Sequence, residues 1–169
     1  MSVAVLSIGS NVGDRLAHLR SVVEAAGARL SAASGVYETA PWGGIEQQPF
    51  LNAVLLVTDN DRGANQWLRF AHDRERQAQR TRDVRWGPRT LDVDIVAAYD
   101  AAGEPIVSDD PDLTLPHPRA HERAFVLAPW LEVDPHARLP HGVVAELLDE
   151  LVASGDPQQQ VARTELELR

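Results

Sequence analysis

The stretch Arg85-Trp86-Gly87-Pro88-Arg89-Thr90-Leu91-Asp92-Val93-Asp94-Ile95 passes from an arginine-rich run into an alternation of apolar and acidic residues. Side chains of a β-strand alternate between the two faces of its sheet. Leu91, Val93 and Ile95 therefore share one face, which belongs to a core, and Asp92 and Asp94 share the other. The spacing predicts a strand over 90–99 with one apolar and one acidic side at its start.

Other segments extend this pattern in both directions. Val3 to Ile8 is apolar and rich in β-branched residues, and Gly9-Ser10-Asn11 bounds it, so it is predicted as a buried first strand. It is not read as a signal peptide, because no basic stretch precedes it. Asp14 is a candidate N-cap for a helix that carries Leu16, Leu19, Val22, Val23 and Ala26 at helical spacing, with Gly27 to end it. Val36 to Thr39 resembles a strand end, 41–49 a loop, and 50–58 the clearest strand. Asp61 is expected to cap a helix over 62–78 with Trp67, Leu68 and Ala71 inward. Loops are expected at Asp109-Asp110-Pro111 and Pro116-His117-Pro118, and helices over 121–131 and 143–152. Strands and helices intermix without a regular βαβ rhythm, which indicates an α+β fold. One catalytic domain is expected over 1–153. Beyond it lies a polar tail over 154–169, where Ala162, Thr164, Leu166 and Leu168 alternate as in a late edge strand.

Composition narrows the chemistry. The 169 residues are 44% apolar and 24% charged, enough for one core, and no apolar run approaches a membrane span. There is no cysteine, which excludes disulfides, thiolate nucleophiles and cysteine metal sites. All 16 basic residues are arginine, which excludes a Schiff-base lysine and the lysine of a P-loop. The net charge of −9 disfavours a general nucleic-acid or anionic-membrane binder. Charge is nonetheless uneven: 69–89 holds seven arginines against three acids, leaving −13 on the remainder. Such an island suggests a localised polyanion site, although Arg69–Asp73 is expected to be an ordinary ion pair along a helix.

Two carboxylates side by side on one strand face repel each other unless a cation sits there. Magnesium meets that need, since it typically takes one or two carboxylates together with substrate phosphates. Nearby arginines would fork the remaining phosphate oxygens. An exposed polar face, or Asp–Arg pairs without metal, remain open on this pattern alone. His117 and His121 have the spacing of a helical zinc pair, but Pro116 and Pro118 break any helix there and no third ligand fits. Gly9-Ser10-Asn11-Val12-Gly13 lacks the glycine pattern and lysine of a phosphate loop and reads as a tight strand-to-helix turn.

The run from Arg85 to Ile95 resembles the signature of the 6-hydroxymethyl-7,8-dihydropterin pyrophosphokinase family of folate biosynthesis. Other motifs agree in order: Ser7-Ile8-Gly9-Ser10-Asn11 with Gly13-Asp14, Tyr37-Glu38-Thr39 with Pro41-Trp42-Gly43, Phe50-Leu51-Asn52-Ala53, Glu75 followed by Arg80 and Arg82, Leu113-Thr114-Leu115-Pro116-His117, and Arg123-Ala124-Phe125-Val126-Leu127. The resemblance covers roughly 3 to 150. It implies an α+β sandwich related to the ferredoxin-like fold, with a mainly antiparallel sheet flanked by helices. It implies transfer of diphosphate from ATP to the pterin hydroxymethyl group with release of AMP, using two Mg²⁺ ions, in a cytoplasmic monomer.

By the same resemblance, Asp92 and Asp94 are the metal ligands, and they form the catalytic set with Arg80 and Arg82 of a closing loop. Glu75, Arg82, Trp86, Arg89, Ile95, Thr114, His117 and Arg123 match nucleotide contacts. Phe50 and Phe125 match an aromatic pair around the pterin, Thr39 and Asn52 its polar readers, and Ala40 and Trp42 its wall. Elementary chemistry agrees. A flat heteroaromatic ring suits two aromatic faces, and its amide-like edge suits the donor and acceptor of Asn52. His72, Asp112 and Pro118 depart from residues found in other members, which bears on adenine and ribose recognition. An RNA-binding α+β module and a nucleotidyltransferase releasing pyrophosphate are the competing functional readings. The first would show as salt-dependent RNA binding indifferent to Asp92, the second as pyrophosphate in place of AMP.

Overall fold

Strand β5 (Asp92–Asp100) carries the alternation into three dimensions. Leu91, Val93 and Ile95 are buried, while Asp92 and Asp94 are half-buried on the opposite face. A computed structural model describes residues 1–39, 47–78 and 90–169. Around β5 it sets β1 (Ser2–Ser10), α1 (Arg15–Ala26), β2 (Leu30–Ala33), β3 (Tyr37–Thr39), β4 (Phe50–Asp59), α2 (Ala64–Gln77), β6 (Ser108–Asp110), β7 (Leu113–Leu115), α3 (Ala124–Val133), β8 (Arg138–Leu139), β9 (Gly142–Val143), α4 (Val144–Ala153) and β10 (Val161–Arg163). The main sheet runs β10-β3-β4-β1-β5, with β2 also on β4, and every pairing in it is antiparallel. This is the α+β sandwich expected, helices on both faces of an antiparallel sheet.

Two cores flank that sheet. On one face Leu6, Ile8, Leu55, Leu91, Val93 and Ile95 pack against Leu19 and Val22 of α1 and Trp67, Phe70 and Ala71 of α2. On the other, Val5, Val54, Val96 and Ala97 meet Val126, Leu127 and Trp130 of α3 and Val144 of α4. Strand β5 changes parity partway along. Its register against β1 shifts between Val5 and Leu6, opposite Val96, a bulge that puts one extra residue into the strand. Val96 and Ala97 consequently both belong to the core under α3, and Ala98 returns to the first.

Local departures from expectation have identifiable causes. Asp14 caps α1 as anticipated, its Oδ1 accepting from the Ala17 N–H at 3.1 Å. Asp61 does not cap α2: its own N–H donates to Asp59 Oδ1 at 2.8 Å, and the helix starts after an extended Gly63 whose N–H is taken by Gln66 Oε1. The expected loop at 109–111 is instead part of a hairpin, β6–β7, whose turn is held by the Asp112 N–H on Asp110 Oδ1. The helix expected from His121 splits into a 3₁₀ turn, Ala120–Glu122, and α3 beginning at Ala124. Asp73 pairs with Arg76, three residues on, rather than with Arg69.

The polar tail is packed into the body. Strand β10 pairs with β3 at the sheet edge, the Thr164 N–H donates to the Val36 carbonyl, and Leu168 is buried in the core with α1 and α2.

Candidate active site

Register places the chemistry. Gly9 of β1 lies opposite both Asn52 of β4 and Asp92 of β5, and Ser7 lies opposite both Val54 and Asp94. Directly opposed residues of antiparallel strands project on one face. Asp92 and Asp94 therefore share a surface with Asn52, with Phe50 two residues before it, and with Thr39, which is paired with Phe50. It is the face that α3 and α4 cover further along, at Val5, Val54 and Val96.

The polar corner is tightly built. Thr39 and Asn52 are only 5% and 4% exposed, and Asn52 Nδ2 donates to Thr39 Oγ1 at 2.8 Å. A Cβ at position 9 would fall 2.7 Å from Asn52 Oδ1 and 3.7 Å from the Phe50 ring. Glycine at position 9 thus lets the amide and the aromatic ring approach the strand between them and the aspartates. Sequence reading placed Gly9 in a motif without assigning it this function, since the clash involves a residue 43 positions away.

Arg123 immediately precedes α3. Its guanidinium lies over the Phe125 ring at 5.7 Å and 4.0 Å from Asp94 Oδ2. Burial pushes its pKa down, opposed by the carboxylates of Asp94 and Asp92. His117 crosses the edge of β5, its N–H donating to the Val96 carbonyl at 2.8 Å. Burial, then the charges of Arg123 and Arg119, push its pKa down to about 4, so the ring is neutral at pH 7. Nδ1 accepts the Arg119 N–H at 3.2 Å, leaving the ring proton on Nε2. A partly buried cation thus stands beside the acidic pair, with a neutral histidine close to it.

Glu75, Ile95 and Thr114, expected at the nucleotide, have these surroundings in the fold. Glu75 is buried in α2, and its Oε2 accepts the N–H of Val93, between the two aspartates, at 3.1 Å. Among the described residues strand β5 is a sheet edge and that N–H meets no partner strand; Glu75 supplies the acceptor. Ile95 is packed in the core beneath α2, so its side chain is withheld from any ligand and only its main chain could meet one. Thr114 is half-buried on β7 with its hydroxyl on the Asp110 carbonyl at 3.0 Å. Asp112 and His72 line one open groove with Glu75 and Arg76. Ala40, Trp42, Arg80, Arg82, Trp86 and Arg89 lie outside the described residues, as does the expected closing loop around Arg80 and Arg82.

Among the described residues no group of three or more histidine, cysteine or acidic side chains could hold a metal. Asp92 and Asp94 offer hard oxygen donors on one face, the donor set that suits magnesium when substrate phosphates complete its shell.

Fold and site together define an antiparallel α+β sandwich, one half-face of which carries an acidic pair, a half-buried arginine and a polar–aromatic corner. The model of the 7,8-dihydro-6-hydroxymethylpterin-pyrophosphokinase family matches residues 5–135, and the chain belongs to that family. It is 51% identical over 161 residues to the 2-amino-4-hydroxy-6-hydroxymethyldihydropteridine pyrophosphokinase of Mycobacterium tuberculosis H37Rv, covering 93% of this chain and 86% of that one. The enzyme of the same name from Mycobacterium leprae is 46% identical over 95% of this chain and 86% of its own, and that from Bacillus subtilis 38% over 78% of each. Among solved structures, the wild-type HPPK-DHPS of Plasmodium falciparum with SDX-DHP superposes with a TM-score of 0.65 at 13% identity, over 94% of this chain. This chain spans 45% of that longer one, and the likeness concerns the fold.

Proposed function

We propose that the chain transfers a diphosphate group from ATP to the hydroxymethyl group of 6-hydroxymethyl-7,8-dihydropterin, releasing AMP, in folate biosynthesis. The carrying observation is the row Asn52–Gly9–Asp92, which puts a polar, aromatic-flanked corner and an acidic pair on one face with a side-chain-free residue between them. Adjacent strands lie about 4.8 Å apart. The pterin end and the phosphate end are thus separated by roughly 10 Å, a span that a hydroxymethyl group and a phosphate chain can close.

In this reading Asn52 and Thr39 fix the pterin edge, and Phe50 and Phe125, on the same side of the sheet, take its faces. The hydroxyl oxygen attacks the β-phosphorus in line, the bond from that phosphorus to the oxygen bridging to the α-phosphate breaks, AMP leaves with that oxygen, and the hydroxyl proton goes to solvent. Asp92 and Asp94 would hold magnesium, which when bound neutralises phosphate charge and acidifies the hydroxyl. Arg123 meets charge developing on the phosphates, and His117 donates from Nε2 without carrying charge. Most of the catalysis is positioning and electrostatics, as in other phosphoryl transfers. Arg80, Arg82, Trp86 and Arg89 are assigned to the triphosphate and nucleotide, and Ala40 and Trp42 to the pterin wall.

Product identity tests the proposal. Chromatography of a reaction containing ATP, Mg²⁺ and the hydroxymethyl pterin is expected to give AMP and pterin diphosphate in equal amounts. Pyrophosphate with an adenylylated pterin would overturn it. The relatives' names give no support to nucleotidyl transfer or RNA binding.

A further inference from the structure

The C-terminal segment lies outside the 5–135 region matched by the family, yet it reaches the start of α3. Arg123 is the residue at the N-cap position of α3, and its side chain makes no capping hydrogen bond. Helix starts leave N–H groups without intrahelical partners, and Ser, Thr, Asp or Asn ordinarily satisfies one from this position. Here a residue 35 positions downstream of Ala124 does so. Gln159 Oε1 accepts the Ala124 N–H at 2.9 Å, and Gln159 Nε2 donates to the Glu122 carbonyl at 2.9 Å. The side-chain amide therefore brackets Arg123, binding the peptide groups on either side of it, and is itself only 8% exposed. An arginine side chain has no acceptor and cannot cap these N–H groups itself; with the amide of Gln159 doing so, the Arg123 side chain extends toward Phe125 and Asp94.

The strap continues to the opposite wall. Strand β10 pairs with β3, which carries Thr39. Arg163 Nε donates to Glu132 Oε1 of α3 at 2.9 Å, and the same carboxylate accepts the Tyr37 hydroxyl at 2.7 Å and the Gly35 N–H at 2.6 Å. Burial, then the Glu132 carboxylate, push the Tyr37 hydroxyl up to about 12, so it remains a donor throughout the neutral range. The tail thus holds both ends of α3 and ties them to β3.

We infer that residues 156–169 form a strap that frames the site, with Gln159 a positioning residue that caps α3, fixes the backbone on both sides of Arg123 and so sets the Arg123 guanidinium. This rests on the reading of Arg123 as a phosphate contact. The test compares Gln159→Met, which keeps the volume and loses both hydrogen bonds, and Gln159→Ala with Arg20→Ala. Arg20 holds the same tail further along, through the Glu167 carbonyl at 2.8 and 3.1 Å.

Both Gln159 variants are expected to lower kcat/KM for ATP by ten- to a hundredfold, to speed hydrogen exchange at the Ala124 amide, and to shift the Arg123 Nε–H resonance. Arg20→Ala is expected to stay within twofold of wild type and to change neither signal. Wild-type kcat/KM in Gln159→Met, or an equal loss in Arg20→Ala, would overturn the inference. The two resonances need no turnover. A wild-type chain that makes no AMP would therefore fail the functional proposal, while unchanged resonances in Gln159→Met would fail the role of Gln159 separately.

Discussion

One face of the sheet has two halves that use the same strands for opposite ends. Beneath α3 and α4 its residues are Val5, Val54 and Val96, closed over by Leu127 and Trp130. Two residues along each strand the same face presents Ser7, Asn52 and Asp94, with Gly9 and Asp92 beyond. The closed half stabilises by removing apolar surface from water. The open half gathers like charges and buried polar groups, which cost stability unless partnered. Stability and chemistry are therefore separable by a single step along a strand, and substitutions on either side should fail in different ways.

The largest effect should come from the open half. Asp94→Ala, and likewise Asp92→Ala, is expected to lower turnover by at least about 10²–10³-fold, the scale seen when a group that stabilises transition-state charge is lost, while circular dichroism and Tm report an intact fold. Wild-type rates in both variants would remove the acidic pair from the mechanism. On the closed half, Leu127→Ala should cost about 2–5 kcal/mol in denaturant unfolding, with kcat unchanged at temperatures where the protein is folded. A variant equally stable to wild type, or a folded one with collapsed kcat, would erase the distinction between the halves.

Gly9→Ala probes the seam. Its Cβ would meet Asn52 Oδ1 and must push that amide away, so the KM for the pterin should rise by roughly tenfold, worth about 1.4 kcal/mol, with the KM for ATP little changed. A parallel rise in both would show that Gly9 shapes the whole face rather than the pterin corner. The remaining effect concerns pH. His117 titrates near 4 when folded and near its ordinary 6.5 when unfolded. Between these values the unfolded chain binds the additional proton, so stability is lost as pH falls from about 6.5 toward 4. His117→Asn should flatten that part of the Tm–pH curve; an unchanged slope would assign it to other groups.

Much of the site was legible because its determinants are local. The alternation of Leu91, Val93 and Ile95 with Asp92 and Asp94 needs only the geometry of an extended chain, and the structure reproduces both faces. Phe50 and Asn52 on one side of β4 follow for the same reason. Glu75 shows where such reading stops. A motif assigned it to the nucleotide; in the fold it also accepts the Val93 N–H on the outer side of β5, and that position is a property of the assembled sheet. Asp61 likewise has the right residue type for a cap but is held by Asp59 in the preceding turn.

By itself the sequence determined the strand faces, the amphipathic helices, the absence of thiol and lysine chemistry, and membership of a family that its ordered motifs already resemble. Those features arise from periodicity and residue type, which act over a few positions. Only the tertiary structure decided that Gly9 makes room for Asn52, that a bulge at Val96 shifts the parity of β5, and that Gln159 caps the helix behind Arg123. Each depends on backbone groups brought together across tens of residues, where a clash or an unsatisfied hydrogen bond exists only after the chain has folded.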